Sequence, residues 1–457
     1  MGDETIVERR TRLPVSARSA WDWHTAPGWG AFERLTPPWF RVEVVERPPA
    51  LVDGARLSFR LGAGPFRLRW VAEHRDVRPE RGFVDFQVEG PFDRWVHEHR
   101  LEPREDGTCV LHDRIAFVLP LGMRPGRALV ERELGRTLVY RHDLTRAELL
   151  MHERVRGSPP LHVAITGAGG LIGSALIPAL RAGGHRVTRI VRRRPGAGEI
   201  GWAPAAGRLD PADLAGVHAV VHLAGENIGV RWSAERKRRI LTSRRDGTRL
   251  IAEAMARCPT PPRVLVSASA VGIYGDRGDE VLTESAGPGR GFLAEVGRAW
   301  EDATGPAEAA GIRVARLRMG VVLTPRGALL RRMLLPFRLC VGGRLGSGSQ
   351  WLSWISIDDA VDVFHRALTD ERVRGSVNAT APSPVRNRDF TRILARLLGR
   401  PAVLPVPRFA LQALFGEMAD EAIFMSSRAV PEELTRLRHT FRHESAHAAL
   451  AHLLGRS

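Results

Sequence analysis

Two different periods of apolar and polar positions divide this chain. Over the first 156 residues apolar side chains tend to alternate with polar ones, the two-residue period of a half-buried strand. Runs of this kind predict strands over Arg41–Val45, Arg56–Leu61, Arg67–His74, Phe83–Val88, Trp95–Leu101 and Thr108–Phe117. Turn pairs such as Asp53-Gly54 and Asp106-Gly107 lie between them. A short helix is expected near Ala17–Trp23 and a long one over about Gly126–His152. A sheet curved around the long helix would leave a cavity between the two.

From Leu161 the pattern becomes strand–helix alternation. Strand Leu161–Thr166 leads to helix Leu171–Ala182 and strand Val187–Val191. Strand Ala219–Leu223, helix Ala234–Arg257, strand Arg263–Ser267, one helix Phe292–Ala310 and strand Arg313–Leu317 follow. Such alternation is the signature of a parallel sheet with helices on both faces. The cluster Gly157-Ser-Pro-Pro160 is the clearest punctuation between the two patterns. The expected organisation is therefore an α+β domain over 1–156 and an α/β domain over 161–457. Shorter elements from about 345 onward suggest a substrate-side lobe.

The first chemistry-bearing motif is Gly167-Ala-Gly-Gly-Leu-Ile-Gly173, which follows a strand and opens a helix. In a Rossmann dinucleotide site Gly167 permits the tight turn, Gly170 lets backbone approach a pyrophosphate, and Gly173 lets helix pack on strand. Gly169, Leu171 and Ile172 complete the loop, and the helix N-terminus supplies N–H donors to the anion. The next strand ends at Val191-Arg-Arg-Arg194, with no acidic residue to take a ribose 2′-hydroxyl. Arginine at that place suits a 2′-phosphate, so NADP(H) is expected over NAD(H), with Arg192 as first contact and Arg193 beside it. Val220-Val-His-Leu-Ala-Gly-Glu-Asn-Ile228 is a strand running into a small-residue turn, where Leu223, Ala224 and Gly225 would approach the cofactor. Val264–Gly275 is a second strand that ends in hydroxyls, and Ser269 is expected beside the nicotinamide, donating to a substrate carbonyl.

These segments resemble the short-chain dehydrogenase/reductase superfamily, in its extended type, and more closely the atypical branch called the epimerase family. The resemblance rests on Thr166–Gly173, His222-Leu-Ala-Gly-Glu-Asn-Ile228, Thr242-Ser-Arg244, Ser267–Gly275, Leu335-Pro-Phe337 and Gly342–Gly348. It continues through Gln350-Trp-Leu-Ser-Trp-Ile355, Asp358-Asp359 and Asn378-Ala-Thr-Ala-Pro382. It implies NADP(H) contacts at Arg192, Leu223, Ala224 and Arg244. It also implies a Tyr-x-x-x-Lys pair for proton transfer, and this chain departs from that. Its two tyrosines, Tyr140 and Tyr274, are followed four residues later by Leu144 and Gly278, and its single lysine, Lys237, lies upstream of Tyr274. The helix that should carry the pair has Leu293 and Gly297 near the expected positions. Glu226, Glu295 and Tyr274 are substitutes to weigh, each with a structural role as the alternative.

The N-terminal part resembles the START-like (SRPBCC) helix-grip superfamily. The residues are Trp23-His-Thr-Ala-Pro-Gly28, Leu35-Thr-Pro-Pro-Trp39, Gly90-Pro-Phe92, Trp95-Val-His-Glu-His99 and Tyr140-Arg-His142. That fold implies a cavity for an apolar or amphipathic ligand. His97 and His99, two apart on one strand, share a face. A metal there would need a third ligand, for which His24 and His74 are conceivable. A polar lining is the expectation, with no metal.

Composition narrows the classes further. The formal charge of +17 suggests nucleic acid, but 68 basic residues include one lysine and are scattered along the chain. Such a skew describes a solvated arginine-rich surface, and nucleic-acid binding is not expected. Arginine breaks every long apolar run, so no membrane span is expected. The N-terminal residues show no apolar leader core. Cys109, Cys258 and Cys340 have no metal-ligand spacing and are expected to be buried thiols, which suits a reducing cytoplasm. Two functions remain open. One is an NADP(H)-dependent oxidoreductase or epimerase on a small sugar-nucleotide-like or ketone substrate. The other is a non-catalytic NADP(H)-responsive regulator or ligand carrier, a class made real by relatives associated with bacterial or plastid division.

Overall fold

A computed structural model describes residues 4–63 and 66–456. The first three residues, part of the stretch read for a leader, lie outside the described residues, as does Ser457. The chain forms two compact units, one of residues 4–158, 178–184 and 452–456 and the other of 159–177 and 185–451.

The first unit contains β1 (Thr5–Leu13), α1 (Ala17–Thr25), α2 (Gly30–Leu35), β2 (Val42–Glu46) and β3 (Arg56–Ala63). It continues with β4 (Phe66–Arg78), β5 (Gly82–Glu89), β6 (Arg94–Pro103), β7 (Cys109–Val118) and the 27-residue helix α3 (Arg127–Glu153). The strands form one antiparallel sheet in the order β1-β7-β6-β5-β4-β3-β2. Ser16 caps α1 by accepting from the Ser19 amide. β1 and α2 were not expected. β1 puts Arg and Glu on its outer face and reads as a polar terminus until β7 pairs with all nine of its residues. α2, six residues between Gly28 and Pro37, is too short to show a helical period.

Leu13, Leu111, Leu138, Leu144 and Leu149 bury the inner face of the sheet against α3. The Arg34 Nε–H donates to Glu148 Oε1 at 2.5 Å, with side chains only 7% and 1% exposed, so one buried ion pair ties α2 to α3. Between helices and sheet lies a cavity of about 750 Å³, lined by Trp29, Phe32, Phe59, Trp70, Trp95 and Leu134 among others.

The second unit contains β8 (His162–Thr166), the start of α4 (Gly173–Ala182), β9 (Arg186–Val191), β10 (Glu199–Gly201), β11 (Ala219–His222), α5 (Ala234–Arg257) and β12 (Val264–Ala270). Helices α6 (Phe292–Asp302) and α7 (Gly305–Ala309) follow, then strand Arg313–Met319, α8 (Ala328–Arg338), α9 (Ile357–Thr369) and strand Gly375–Ala379. The strand order is β10-β9-β8-β11-β12, then 313–319, then 375–379, and every pairing is parallel. Central strands are buried on both faces; Val163, Ala164, Ile165, Val220 and Val221 are fully buried.

Three expectations need correction here. The single helix over Phe292–Ala310 is two helices. Thr304 Oγ1 donates to the Glu301 carbonyl, and Pro306 brings no N–H to continue the ladder. The lobe expected from about 345 does not begin there, because α9 packs under the main sheet and Gly375–Ala379 is its seventh strand. Cys340 is exposed, with positive φ at the end of α8, whereas Cys109 and Cys258 are buried. Among the described residues no helix is long and apolar enough to cross a membrane.

The Arg34–Glu148 pair yields a stability prediction. Glu148→Ala removes this carboxylate from the buried Arg34 guanidinium and is expected to cost about 1.5–3 kcal/mol, the worth of a hydrogen bond between charged groups. Urea unfolding of the full chain, followed by tryptophan fluorescence, reads the loss; a change under about 1 kcal/mol would show that the pair does not hold α2.

Candidate functional site

In the second unit the carboxyl ends of β8, β9 and β11 carry the residues singled out from sequence. Gly167 turns the chain with φ +68°, and a Cβ there would lie 2.8 Å from the Leu223 carbonyl carbon. Only glycine lets the β8 turn pass this close under the β11 turn. A Cβ at Gly173 would meet the Gly167 carbonyl oxygen at 2.5 Å, so the first residue of α4 packs directly on the loop. Gly169 and Gly170 are exposed, and the space a Cβ would enter at Gly169 holds no protein atom within 4 Å. Leu171 and Ile172, half-buried, lead into α4. The loop is thus an open backbone cradle before a helix N-terminus, the shape a dinucleotide pyrophosphate fits.

Thr166 connects the two strand ends. Its Oγ1 accepts from the Leu223 amide at 3.0 Å and the Ala224 amide at 3.2 Å. With both lone pairs used, its own proton goes to His222 Nδ1, 2.8 Å away. Burial, and then the Arg244 charge, push the His222 imidazole down to about 4, so it is neutral. The Leu223 and Ala224 amides are therefore committed to the protein. Any cofactor contact at this turn uses other atoms of these residues.

Arg244, on α5, lies against the same turn. A Cβ on Gly225 would come within 3.2 Å of its guanidinium carbon. Arg244 Nη1 donates to the Glu226 carbonyl at 3.0 Å and the Ile240 carbonyl at 3.2 Å, and the group stacks over Trp300. Burial lowers its pKa to about 10, with the Glu226 charge opposing. The Glu226 carboxylate itself pairs with Arg236 and Arg239, so it is not a free base. At the end of β9 Arg193 donates to Glu199 Oε1 at 2.7 Å and to the Arg194 carbonyl. Arg192 is exposed and has no partner among the described residues.

The two catalytic candidates fall elsewhere. Ser269 is 2% exposed, and its hydroxyl donates to Glu301 Oε1 at 2.7 Å on the α6 side of the sheet. Arg318 grips the same carboxylate through Nε at 2.8 Å and Nη2 at 2.9 Å, and Ser376 donates to it as well. Ser269 is therefore not available to a substrate carbonyl. Alternation along β12 turns Ala270 to the opposite face. Tyr274 is fully buried; its hydroxyl donates to Asn378 Oδ1 at 2.7 Å and accepts from Arg318 Nη1 at 2.9 Å. Burial pushes this phenol above its ordinary value, and the Arg318 charge offsets only part of the shift. Both residues belong to a structural network.

The structure also shows why α6 carries no lysine. A Cβ on Gly297 would lie 2.8 Å from Ile273 Cβ, because α6 rests directly on the 271–274 segment. Leu293 fills the neighbouring place against Gly272. Glu295 is exposed on this helix.

In the first unit, strand register gathers a polar cluster at the cavity wall. His74 lies opposite Asp85, Asp85 opposite His97, and His99 opposite Asp113. His74 Nδ1 meets Asp85 Oδ1 at 2.5 Å, and His99 Nε2 meets Asp85 Oδ2 at 3.2 Å. His99 Nδ1 meets Asp113 Oδ1 at 2.7 Å, and His142 Nε2 meets Asp113 Oδ2 at 3.0 Å. Burial disfavours charge on His99, yet the Asp113 and Asp85 carboxylates push its pKa up to about 9. Burial and the His99 charge push His97 down to about 4. Neither aspartate was singled out from sequence. Alternation with Leu111 and Ile115 puts Asp113 on an inward face, but it would turn Asp85 outward, and the register that aligns both with the histidines is set only by the fold.

Comparison with known proteins fits both units. Residues 163–379 match the NAD dependent epimerase/dehydratase family, 13–164 the polyketide cyclase/dehydrase and lipid transport family, and 406–453 a domain of unknown function. An epimerase family protein of Mycobacterium bovis is 44% identical over 292 residues, 64% of this chain and 96% of that protein. The chain belongs to the epimerase family. Among solved structures of similar proteins, one described as a nucleoside-diphosphate sugar epimerase from Corynebacterium glutamicum matches at 36% identity with a TM-score of 0.81. It covers 98% of this chain and 90% of that one. The human epimerase family protein SDR39U1, solved with NADPH, matches at 32% identity over 64% of this chain and 99% of that one, with a TM-score of 0.59.

The contact beneath α6 is testable. Gly297→Ala is expected to destabilise the chain by about 1–3 kcal/mol, because the added methyl must displace Ile273. Thermal unfolding of the parent and variant measures it; an unchanged midpoint would mean that α6 has slack at this place.

Proposed function

We propose that this epimerase family member binds NADP(H) in the second unit and acts as an oxidoreductase or epimerase on a small sugar-nucleotide-like or ketone substrate, without a Tyr-x-x-x-Lys pair. The observation that carries this reading is the open cradle at Gly167–Gly173, held under the β11 turn by a contact that only glycine allows. The dinucleotide, when bound, supplies or accepts a hydride at the nicotinamide. The chain's own part is to seat the pyrophosphate on the α4 N-terminus and to place Arg244 beside the β11 turn. The absence of an acidic residue from Val191 to Arg194 and the lack of a partner for Arg192 among the described residues support NADP(H) over NAD(H), as does the NADPH reported with the human relative. The name of the Corynebacterium relative supports the sugar-nucleotide class. Three unpaired cysteines suit a reducing cytoplasm.

A second reading, a non-catalytic NADP(H)-responsive regulator or ligand carrier, is favoured by one observation. Ser269 and Tyr274 are both consumed by the Glu301–Arg318 network. In either reading the cavity of the first unit takes an apolar or amphipathic ligand, as its aromatic walls support. Single-turnover oxidation of bound NADPH across sugar nucleotides and ketones separates the two. Oxidation by any of them establishes an enzyme. If none oxidises the cofactor while NADPH changes ligand affinity in the first unit, the protein is a regulator.

Two expected outcomes follow for variants. Arg192→Ala should weaken NADPH binding by about 1–3 kcal/mol, the worth of a charge-assisted hydrogen bond, and leave NADH binding nearly unchanged. Calorimetric titration with both cofactors tests this, and equal losses would remove the 2′-phosphate assignment. Ser269→Ala and Tyr274→Phe should lower the unfolding midpoint while NADPH affinity stays within about threefold of the parent, because each loses buried hydrogen bonds worth about 1 kcal/mol apiece. A tenfold or greater loss of NADPH affinity in either would return that residue to the cofactor site.

A further inference from the structure

We propose that Asp85, His97 and His99 form a mononuclear site for a divalent first-row transition-metal ion at the wall of the cavity in the first unit. One ligand atom from each of the three lies within 4.8 Å of the other two. The 3.2 Å between His99 Nε2 and Asp85 Oδ2 is close to the separation of two neighbouring ligands bonded at about 2.0–2.2 Å to one ion. His97 points into the same space. Its Nε2 is buried, has no hydrogen-bond partner among the described residues, and lies 3.6 Å from Asp113 Oδ1 as an ion-pair contact. A polar lining, the expectation from sequence, leaves that nitrogen unsatisfied at the cost of its desolvation. A metal bond satisfies it.

The surroundings are those a metal-bound histidine requires. The other nitrogen of His99 is held by Asp113 at 2.7 Å, which fixes the ring and strengthens Nε2 as a donor. Asp113 is itself held by His142, and His142 Nδ1 by Thr11 at 2.9 Å. The second oxygen of Asp85 is held by His74. Two imidazoles and one carboxylate suit zinc, iron(II) or cobalt(II), whereas magnesium and calcium prefer all-oxygen sites. Three protein ligands leave positions open, and all three ligand residues line the cavity. Arg141 lines it too, with no hydrogen-bond or ion-pair partner among the described residues. The ligand class that fits is an apolar molecule with an anionic oxygen head, its body against Trp29, Phe59 and Trp70. This inference is independent of the NADP(H) reading.

The test uses the full chain, stripped by chelator and titrated with Co²⁺ alone. We expect uptake of one Co²⁺ per chain with visible d–d absorption of a low-coordinate site, displaced by Zn²⁺. Asp85→Asn, His97→Gln and His99→Gln should each weaken Co²⁺ binding by at least about tenfold, and Asp113→Asn by about 10–100-fold. His97→Gln removes only the 3.6 Å approach to Asp113, and circular dichroism separates loss of metal from loss of fold. His24→Gln, elsewhere on the cavity wall, should keep the parent affinity. Absence of stoichiometric Co²⁺ uptake overturns the proposal. Uptake that survives both His97→Gln and Asp85→Asn overturns it equally, since the ion is then bound elsewhere.

Discussion

The Glu301–Arg318 ion pair is the constraint on which the second unit depends. A carboxylate and a guanidinium, each about nine-tenths buried, meet through two parallel hydrogen bonds. Burying two charges is costly unless every remaining donor and acceptor is satisfied. The structure meets that demand by recruiting Ser269 from β12, Ser376 from the last strand, and Tyr274 from the segment after β12. Asn378 then extends the network to the Leu282 and Val430 carbonyls. Helix α6, three adjacent strand ends and the C-terminal segment are thereby joined through polar atoms instead of apolar packing alone. The consequence for function is direct: hydroxyls that look available at a strand end are spent on holding the sheet together.

The carboxyl ends of β8 and β11 obey a different constraint, the close approach of backbone to backbone. Gly167 passes under Leu223 and Ala224 with no room for a methyl, and Thr166 fastens both amides from the same side. Arg244 then closes over Gly225 from α5. These contacts shape the cradle before any ligand arrives, which lowers the ordering cost of binding. Across the β12 end, α6 sits so tightly on Ile273 that residue 297 has no space for a side chain. On both sides of the β12 end the backbone is thus fixed by packing, with Leu293 against Gly272 and Gly297 against Ile273.

The first unit shows a third use of geometry. Antiparallel register aligns His74, Asp85 and His97 across three strands and His99 with Asp113 across the next pair. Their side chains emerge on the inward face, where a sheet otherwise presents apolar groups to α3. Two carboxylates among four histidines keep this cluster electrically viable in a cavity with aromatic walls.

What the sequence alone determined here is local. The change of hydrophobic period at residues 157–160, the six strands from Val42 to Val118, helix Ala234–Arg257 and the glycine turn after β8 were all legible, because each is written in neighbouring residues. The gap in the Tyr-x-x-x-Lys pattern was legible for the same reason. The tertiary structure alone decided what depends on partners distant in the chain. β1 became a strand because β7 lies beside it, and 375–379 joined the sheet because 313–319 offered an edge. Ser269 and Tyr274 were placed correctly on their segment, yet their chemistry was set by Arg318 and Glu301, which no spacing connects to them. Alternation along Phe83–Val88 would put Val84, Phe86 and Val88 inward, so the inward place of Asp85 was not legible, and register is what brings it to His97 and His99.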